Sequence, residues 1–381
     1  WKPEFIVLIL FSTAVNYFCA LCIRRYPGAK KPMLIADLIV NFGLLFFFKY
    51  LNFFGETLTA LCRAVSIPFT APALDIILPV GISFYTFQTL SYTIDVYRGK
   101  MEPERDFITF ALFVSYFPQL VAGPIERADN LLPQLKKEQV FRYDQAAHGV
   151  RLMVWGFFKK CVCAAYLSRL ADAVYNDVSY ASGGAAALAT AAFALQIYCD
   201  FGGYSTIAKG AAKILGIELM ENFDAPYLST SVSQFWRRWH ISLTSWFKDY
   251  LYIPLGGSRK GKLRKYINKM IVFLVSGLWH GADATFVIWG GLNGLYQVLG
   301  EALAPARDKA CIRLGLHREK ACHKIAQGII TFLLIDFSWI FFRAADFTQA
   351  VSGSRAILPA ASPWVLFDVA LYVCGLGRKK F

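Results

Sequence analysis

The segment that decides the fold opens with Gln234-Phe-Trp-Arg-Arg-Trp-His240 and closes with Ser276-Gly-Leu-Trp-His280-Gly281. A basic loop lies between these two ends, and the rest of the chain is strongly hydrophobic. Ionisable groups at membrane depth are costly, and where they occur they usually line a site or a pathway. Arginines, tryptophans and histidines concentrated in such sequence therefore indicate a polar core. His240 and His280 are its best candidates for chemistry.

The composition predicts a membrane protein that crosses the bilayer several times. Of 381 residues, 56% are hydrophobic and 17% are charged, which is too apolar for one soluble domain. Apolar runs of about 18 or more residues are typical of membrane helices, and such runs recur along the whole chain. We therefore expect an all-α polytopic protein whose spans direct their own insertion.

The charged residues and the cysteines limit the kinds of molecule that the protein is expected to bind. The net charge is +14, from 40 Lys and Arg against 26 Asp and Glu. The basic residues lie in short loops between apolar runs, as the positive-inside rule predicts for cytoplasmic loops, so we expect membrane lipid and not nucleic acid as a partner. The densest loop, 259–265, is expected to face anionic lipid or, alternatively, an anionic ligand such as a coenzyme or a phosphorylated carrier. The nine cysteines show no metal-site or disulfide spacing, so we expect reduced thiols and no metal.

The hydrophobic runs predict roughly nine to eleven membrane segments, counting re-entrant ones. A kink or break is expected in the third run, which contains Pro79 and Gly81. The polar stretch 307–324 is expected to be a cytoplasmic loop. The runs read as spans are 5–23, 33–50, 74–94, 149–175, 185–199, 266–278, 285–303, 325–342 and 364–375.

Two regions do not fit simple spans. The run 107–122 carries Pro118, and a full crossing there would put the basic residues that follow on the outer side, so we expect a re-entrant segment. After the run 185–199, Asp200-Phe-Gly-Gly-Tyr204 predicts a break, and 205–219 is expected to be amphipathic. The predicted architecture is a ring of transmembrane helices with re-entrant segments around a polar core.

Each histidine has a structural alternative. His280 ends an apolar run and is flanked by glycines. An imidazole with a pKa of about 6.5 suits a general base. The structural alternative is a buried histidine whose ring hydrogen-bonds to a backbone carbonyl. If the segment around His240 is helical, Trp236, His240 and Thr244 share one face. His240 is then either part of the site or an anchor at the membrane interface.

Further motifs carry a family resemblance. They are Pro79-Val-Gly-Ile-Ser-Phe-Tyr-Thr-Phe-Gln88, Tyr92-Thr-Ile-Asp95-Val-Tyr-Arg98-Gly, Phe117-Pro-Gln-Leu-Val-Ala-Gly-Pro-Ile125, Asp200-Phe-Gly-Gly-Tyr204-Ser205 and Glu221-Asn-Phe223. With them, residues 1–343 resemble the bacterial branch of the membrane-bound O-acyltransferase family, most closely the integral-membrane subunit of alginate and related polysaccharide O-acetyltransferases. The resemblance implies that His280 is catalytic and that His240 is the second active-site histidine.

Other residues are candidates for binding substrate or donor. Arg237 and Arg238 either hold donor phosphates or pair with acids, and Asp200 either orients a histidine or caps a helix. The side chain of Asn222 forms hydrogen bonds either to substrate or to the backbone of a turn. The family commonly has an acid where this chain has Thr206, so we expect no role for such an acid here. The full candidate set is Asp200, Tyr204, Ser205, Asn222, Trp236, Arg237, Arg238 and Trp279.

The resemblance implies an O-acetyltransferase in the cytoplasmic membrane. We expect no tightly bound cofactor, acetyl-CoA or another acyl thioester as donor, and an extracellular polysaccharide or a secreted or membrane-tethered acyl-accepting protein as acceptor. Residues 1–381 are expected to be one membrane acyltransferase domain lacking the N-terminal hairpin and C-terminal helices usual in the family. The alternatives are a peptidoglycan O-acetylation or teichoic-acid D-alanylation subunit, a transporter, although no internal repeat is evident, and a non-catalytic scaffold.

Overall fold

The structure is a computed structural model that describes residues 3–176, 183–313 and 319–357. Over those residues the chain is helical, and its β-pairing there is a single isolated bridge between Phe223 and Trp239. The prediction of an all-α fold is confirmed. The chain forms two compact units, Trp1–Val154 with Ser205–Glu221, and Trp155–Tyr204 with Asn222–Phe381.

The first unit is built from helices that follow the apolar runs of the N-terminal part. The run predicted at 33–50 extends further than expected, because a π-helical turn at Phe46–Tyr50 carries it into the next helix. The helices are α1 Phe5–Arg25, α2 Lys30–Leu45, α3 Leu51–Ala64, α4 Ile82–Tyr97, α5 Phe107–Ser115, α6 Ala128–Lys136 and, up to Val154, α7 Tyr143–Phe157.

Helix α4 begins later than the sequence predicted. The run 74–94 is expected to be kinked or broken at Pro79 and Gly81; the structure shows a break, because residues 74–81 are not helical and helix starts at Ile82. Gly81 has a left-handed backbone with φ of 79°. A Cβ at this position would lie 2.6 Å from the carbonyl oxygen of Leu120, so the close approach also requires glycine.

The run 107–122 does not form a spanning helix. Helix α5 ends at Ser115 after nine residues, and turns follow around Pro118. Nine residues rise about 14 Å, less than half of the roughly 30 Å hydrocarbon core. This broken geometry agrees with the expected re-entrant segment.

The prediction of a break at Asp200–Tyr204 is wrong. Helix α9 runs from Gly183 to Ile214 without interruption, so 205–219 is the end of this helix and a loop, not a separate amphipathic helix. Gly203 serves a close helix contact instead, because a Cβ there would lie 2.9 Å from the carbonyl oxygen of Gly156. Residues up to Tyr204 belong to the second unit and those from Ser205 to the first.

The second unit surrounds a core of aromatic side chains. Trp289 stacks on Trp339 with ring centroids 5.7 Å apart, and Trp239 lies 5.2 Å from Trp339. With the first part of α9, its helices are α8 Ala165–Tyr175, α10 Val232–Arg238, α11 Ile241–Phe247, α12 Gly261–His280, α13 Ala284–Ala302, α14 Ala304–Arg313, α15 Ala321–Arg343 and α16 Phe347–Ile357.

In the C-terminal part, the structure corrects one expectation, and another lies outside the described residues. The stretch 307–324 is not simply a loop, since α14 covers its first residues and α15 begins at Ala321. The run 364–375 lies outside the described residues.

The protein is an integral membrane protein. Four helical stretches of the described chain are long and apolar enough to cross a bilayer: Phe5–Arg25, Pro27–Ala64, Gly183–Ile214 and Ala321–Arg343.

Glycines bring α12 and α13 into backbone contact. A Cβ on Gly290 would lie 2.2 Å from the carbonyl oxygen of Phe273, and one on Gly277 would lie 2.2 Å from that of Phe286. The neighbouring Gly291 has its nearest atom, on Leu274, at an ordinary 3.6 Å. The two helices therefore have no room to accept a side chain at Gly290.

We expect Gly290→Ala to destabilise the protein by about 1–3 kcal/mol, the usual cost of overpacking. Gly291→Ala is the matched control and should be neutral or stabilising by up to about 1 kcal/mol, because alanine favours helix. Thermal unfolding of the detergent-solubilised variants measures both effects. Equal melting temperatures for the two variants would contradict the proposed backbone contact.

Candidate active site

His280 is the last residue of α12, and aromatic rings surround it. The chain leaves the helix in an extended conformation at Gly281, so the imidazole lies at the helix end. Its ring centroid is 4.9 Å from that of Trp279, 5.1 Å from Trp289 and 5.3 Å from Phe342. The residue as a whole is partly buried.

His240 lies in a tight turn between α10 and α11. Its φ of 45° is in the left-handed region, which is uncommon for a residue with a Cβ. Pairing of the adjoining chain holds the turn: the Asp224 N–H donates to the Arg238 carbonyl (3.0 Å) and the Ile241 N–H to the Asn222 carbonyl (3.0 Å). The predicted helical face shared by Trp236, His240 and Thr244 is wrong, because α10 ends at Arg238.

The side-chain oxygen of Asn222 assigns the tautomer of His240. This Oδ1 accepts the backbone N–H of Ser242 at 3.3 Å and its hydroxyl at 2.9 Å, and it lies 3.1 Å from Nδ1 of His240. A backbone N–H can only donate, so the amide atom facing it is the oxygen. The Nδ1 of His240 therefore carries the proton and donates to Asn222, which makes Nε2 the lone-pair nitrogen of the neutral ring.

Burial keeps His240 neutral. The side chain is 1% exposed and lies outside the four membrane-crossing stretches. Desolvation of the charged form lowers its pKa from an ordinary 6.5 to about 3. Its ring packs edge-to-face on Phe201 at 4.7 Å, 6.0 Å from Trp279 and 6.4 Å from His280. Partly buried His280 and buried, neutral His240 thus lie side by side. Because His240 is buried, it is not an anchor at the membrane interface.

The structure brings some predicted residues to this pair and not others. Asn222 and Trp279 contact the histidines directly. Trp236 is one ring further away: its Nε1–H donates to Oδ1 of Asn293 at 3.2 Å, and its ring lies 5.6 Å from Trp289.

The charged candidates have other neighbours. Asp200 pairs with Lys160 and lies inside α9, so the helix-cap interpretation is wrong. Arg238 lies 3.6 Å from the carboxylate of Asp224, which favours structural pairing, and the side chain of Arg237 is exposed.

Two candidates remain at the end of the first part of α9. Tyr204 is partly buried in the second unit, and Ser205 is buried in the first unit.

Several residues of the site were not predicted. Ser242 had a usable signal, since it follows His240 by two residues in a polar stretch. Phe201, Trp289 and Phe342 had none, because each looks like an ordinary apolar residue of its own helix. Only the packing of α9, α13 and α15 brings them to the histidines.

Comparison with known proteins identifies the family. The model of the MBOAT, membrane-bound O-acyltransferase family matches residues 104–340, which include both histidines. The chain belongs to the membrane-bound O-acyltransferase family. The resemblance carried by the motifs is confirmed.

Alignments with known relatives cover most of this chain. The probable alginate O-acetylase AlgI of Pseudomonas aeruginosa is 38% identical over 357 residues, 92% of this chain, and the chain spans 65% of that protein. The probable alginate O-acetylase AlgI of Azotobacter vinelandii is 37% identical over 374 residues, covering 97% of this chain and 72% of its own length. A peptidoglycan O-acetyltransferase of Helicobacter pylori is 36% identical over 379 residues, covering 92% and 69%.

The burial of neutral His240 predicts acid sensitivity. Its pKa is about 3 in the folded state and about 6.5 in the unfolded chain, so the unfolded state binds more protons between these values. The stability from neutral burial is complete above about pH 6.5 and is lost as the pH falls towards 3, by up to about 1.4 kcal/mol per pH unit.

We therefore expect the melting temperature of the solubilised protein to fall between about pH 7 and pH 5, and His240→Gln to show a shallower fall because glutamine does not titrate. Thermal scans of both proteins in the same detergent measure the two slopes. Parallel slopes would show that His240 does not titrate on unfolding.

Proposed function

We propose that this protein is an O-acyltransferase that moves an acetyl group from a cytoplasmic thioester towards hydroxyl groups of an extracellular polysaccharide. The transfer is either direct or through an acyl-accepting partner protein. The observation that carries the proposal is the histidine pair, with ring centroids 6.4 Å apart in an aromatic surround. Membership of the acyltransferase family supports the reaction class.

His280 is proposed as the general base. His280 is only partly buried, whereas His240 is 1% exposed and its lowered pKa makes it a weak proton acceptor. His280 takes the proton of the attacking hydroxyl group while the hydroxyl oxygen bonds to the thioester carbonyl carbon. The carbon–sulfur bond then breaks, and the proton passes from His280 to the departing thiolate.

His240 is proposed as a positioning residue. Its Nδ1–H donates to Asn222, so Nε2 is the nitrogen able to accept a hydrogen bond. A neutral ring beside His280 avoids repelling the imidazolium that forms when His280 takes a proton, as a charged neighbour would.

The donor side is proposed to be cytoplasmic. Thioesters such as acetyl-CoA are available there, and the polysaccharide lies outside, so an embedded site in the cytoplasmic membrane joins them. Four basic side chains of the loop before and at the start of α12 are exposed, a pattern suited to anionic lipid headgroups at the inner surface. They are Arg259, Lys260, Lys262 and Arg264.

Peptidoglycan is a second candidate acceptor. The relative from Helicobacter pylori named peptidoglycan O-acetyltransferase aligns with this chain over 379 residues at 36% identity. Both acceptors present sugar hydroxyls, so the chemistry proposed for His280 is the same for either.

We expect His280→Ala to reduce acetyl transfer by about 100-fold or more, the usual contribution of a general base. The assay uses labelled acetyl-CoA and membranes carrying the full-length protein with its acyl-accepting partner. His148→Ala is the matched control, since His148 is an exposed histidine on α7, and should retain transfer.

Expression and folding are matched by fluorescence-detected size-exclusion chromatography. Undiminished transfer by folded His280→Ala would overturn the assignment of the base and favour a transporter or a scaffold subunit. Loss in both histidine variants would point to a general defect instead of a missing base.

A further inference from the structure

We propose that the carboxyl group of Asp37 is a proton-binding site inside the membrane. The group is neutral in the folded protein, and loss of its proton opens the bundle formed by α1, α2 and α4. This inference concerns the first unit of the chain, goes beyond the proposed function and does not depend on it.

Asp37 lies in the middle of α2, inside a stretch long and apolar enough to cross the bilayer, and it is fully buried. Its Oδ1 accepts a hydrogen bond from Nδ2 of Asn41 at 3.1 Å. Its Oδ2 is buried and has no hydrogen-bond partner among the described residues. Burying an ionisable group at this depth is costly, so such a group indicates a functional site.

The two amide side chains beside Asp37 have fixed orientations. Nδ2 of Asn41 donates to the backbone carbonyl of Asp37 at 2.9 Å, and Nδ2 of Asn16 donates to that of Ser12 at 2.7 Å. A carbonyl oxygen can only accept, so the amide atom that faces it is the nitrogen in both cases. The Oδ1 atoms of Asn16 and Asn41 are therefore acceptors for the rest of the network.

Every donor hydrogen of this buried network is already in use. Oδ1 of Asn41 accepts the Ser12 hydroxyl at 2.9 Å and the second Nδ2 hydrogen of Asn16 at 3.1 Å. Oδ1 of Asn16 accepts the Thr93 hydroxyl at 3.1 Å. The second Nδ2 hydrogen of Asn41 goes to Oδ1 of Asp37. None of these four neighbouring side chains has a hydrogen left for Oδ2 of Asp37.

The neighbours of the carboxyl group are also uncharged. Asn41 and Thr93 act on it directly, and the thiol of Cys19 on α1 lies close enough to interact with it electrostatically. Charged side chains on the elements packed around α2 have other partners. These pairs are Arg24 with Glu102 (2.8 Å), Lys49 with Ser83 (3.3 Å), Lys100 with Asp95 (3.1 Å), and Lys30 with the ring of Tyr97 (5.8 Å).

A proton satisfies this site, and a carboxylate does not. A carboxylate would be a buried charge without a counter-ion, which costs far more than a neutral polar group. A proton on Oδ2 removes the charge and turns the unpartnered acceptor into a donor. Thr93 has given its own hydrogen to Asn16, so its oxygen can only accept from Asp37. A metal ion would compete for oxygens that already accept hydrogens, whereas a proton needs no added space.

The proton couples the carboxyl group to the packing of three helices. Asp37 and Asn41 lie on α2, Ser12 and Asn16 on α1, and Thr93 on α4. If the proton is lost, the charge can be hydrated only when these helices separate. A solvated aspartate is ionised above about pH 4, so the unfolded chain binds fewer protons than the folded one at neutral pH. The stability of the folded state should therefore fall as the pH rises.

The test compares wild type with Asp37→Asn, both as full-length protein in the same detergent. Asparagine is the neutral isostere, since its oxygen accepts from Asn41 and its NH₂ group replaces the protonated oxygen. The infrared difference spectrum at neutral pH, wild type minus variant, should show the carbonyl band of a protonated carboxyl group, shifted in D₂O. Between about pH 7 and pH 10, the melting temperature of the wild type should fall further than that of the variant, by about 2 °C or more.

Asp75→Asn is the matched control. Asp75 is exposed in the non-helical connection before α4, so its carboxyl group is solvated. The corresponding difference spectrum should show the bands of a carboxylate and no band of a protonated carboxyl group. The melting temperature of this variant should follow that of the wild type as the pH rises.

The outcomes decide the protonation state directly. Carboxylate bands in the Asp37→Asn difference spectrum would overturn the proposal and indicate a bound cation or water at the carboxyl group. Failure of Asp37→Asn to fold, or equal falls in melting temperature, would also overturn it, because the isostere keeps the contacts of the protonated group. None of these outcomes bears on the acyltransferase chemistry, whose histidines lie in the second unit.

Discussion

The site depends on one amide oxygen. Oδ1 of Asn222 receives the Nδ1–H of His240 and both the N–H and the hydroxyl of Ser242, all in a buried environment. Without that oxygen, buried donors would lose their partner at a cost of about 1–3 kcal/mol each. The same contact selects the tautomer of His240, so a single interaction links the folding of the turn to the state of the ring.

Much of the fold was predictable because the bilayer imposes long apolar runs. Helices α1 and α15 follow from hydropathy alone, since both are long and apolar enough to cross a bilayer. The error at Asp200–Tyr204 has a physical cause: adjacent glycines favour a break locally, whereas Gly203 permits close contact with Gly156. Local sequence does not distinguish a glycine that ends a helix from one that lets two helices touch.

The site was predictable only in part. His280 and His240 are conspicuous as ionisable residues in apolar sequence, but the rings that surround them are not. Trp289 and Phe342 read as ordinary core residues, and only the packing of separate helices makes them neighbours of His280. The turn at His240 was missed because its left-handed backbone is imposed by pairing between chain segments and not by a glycine.

The backbone of His240 limits which residues a related chain could carry at this position. With φ at 45°, glycine, asparagine, aspartate and histidine are the residues that adopt such a conformation most readily, and β-branched residues strain it. The imidazole thus belongs to the few side chains that this backbone geometry tolerates. Replacing the histidine with a bulky apolar residue would require a new turn as well as a new chemistry.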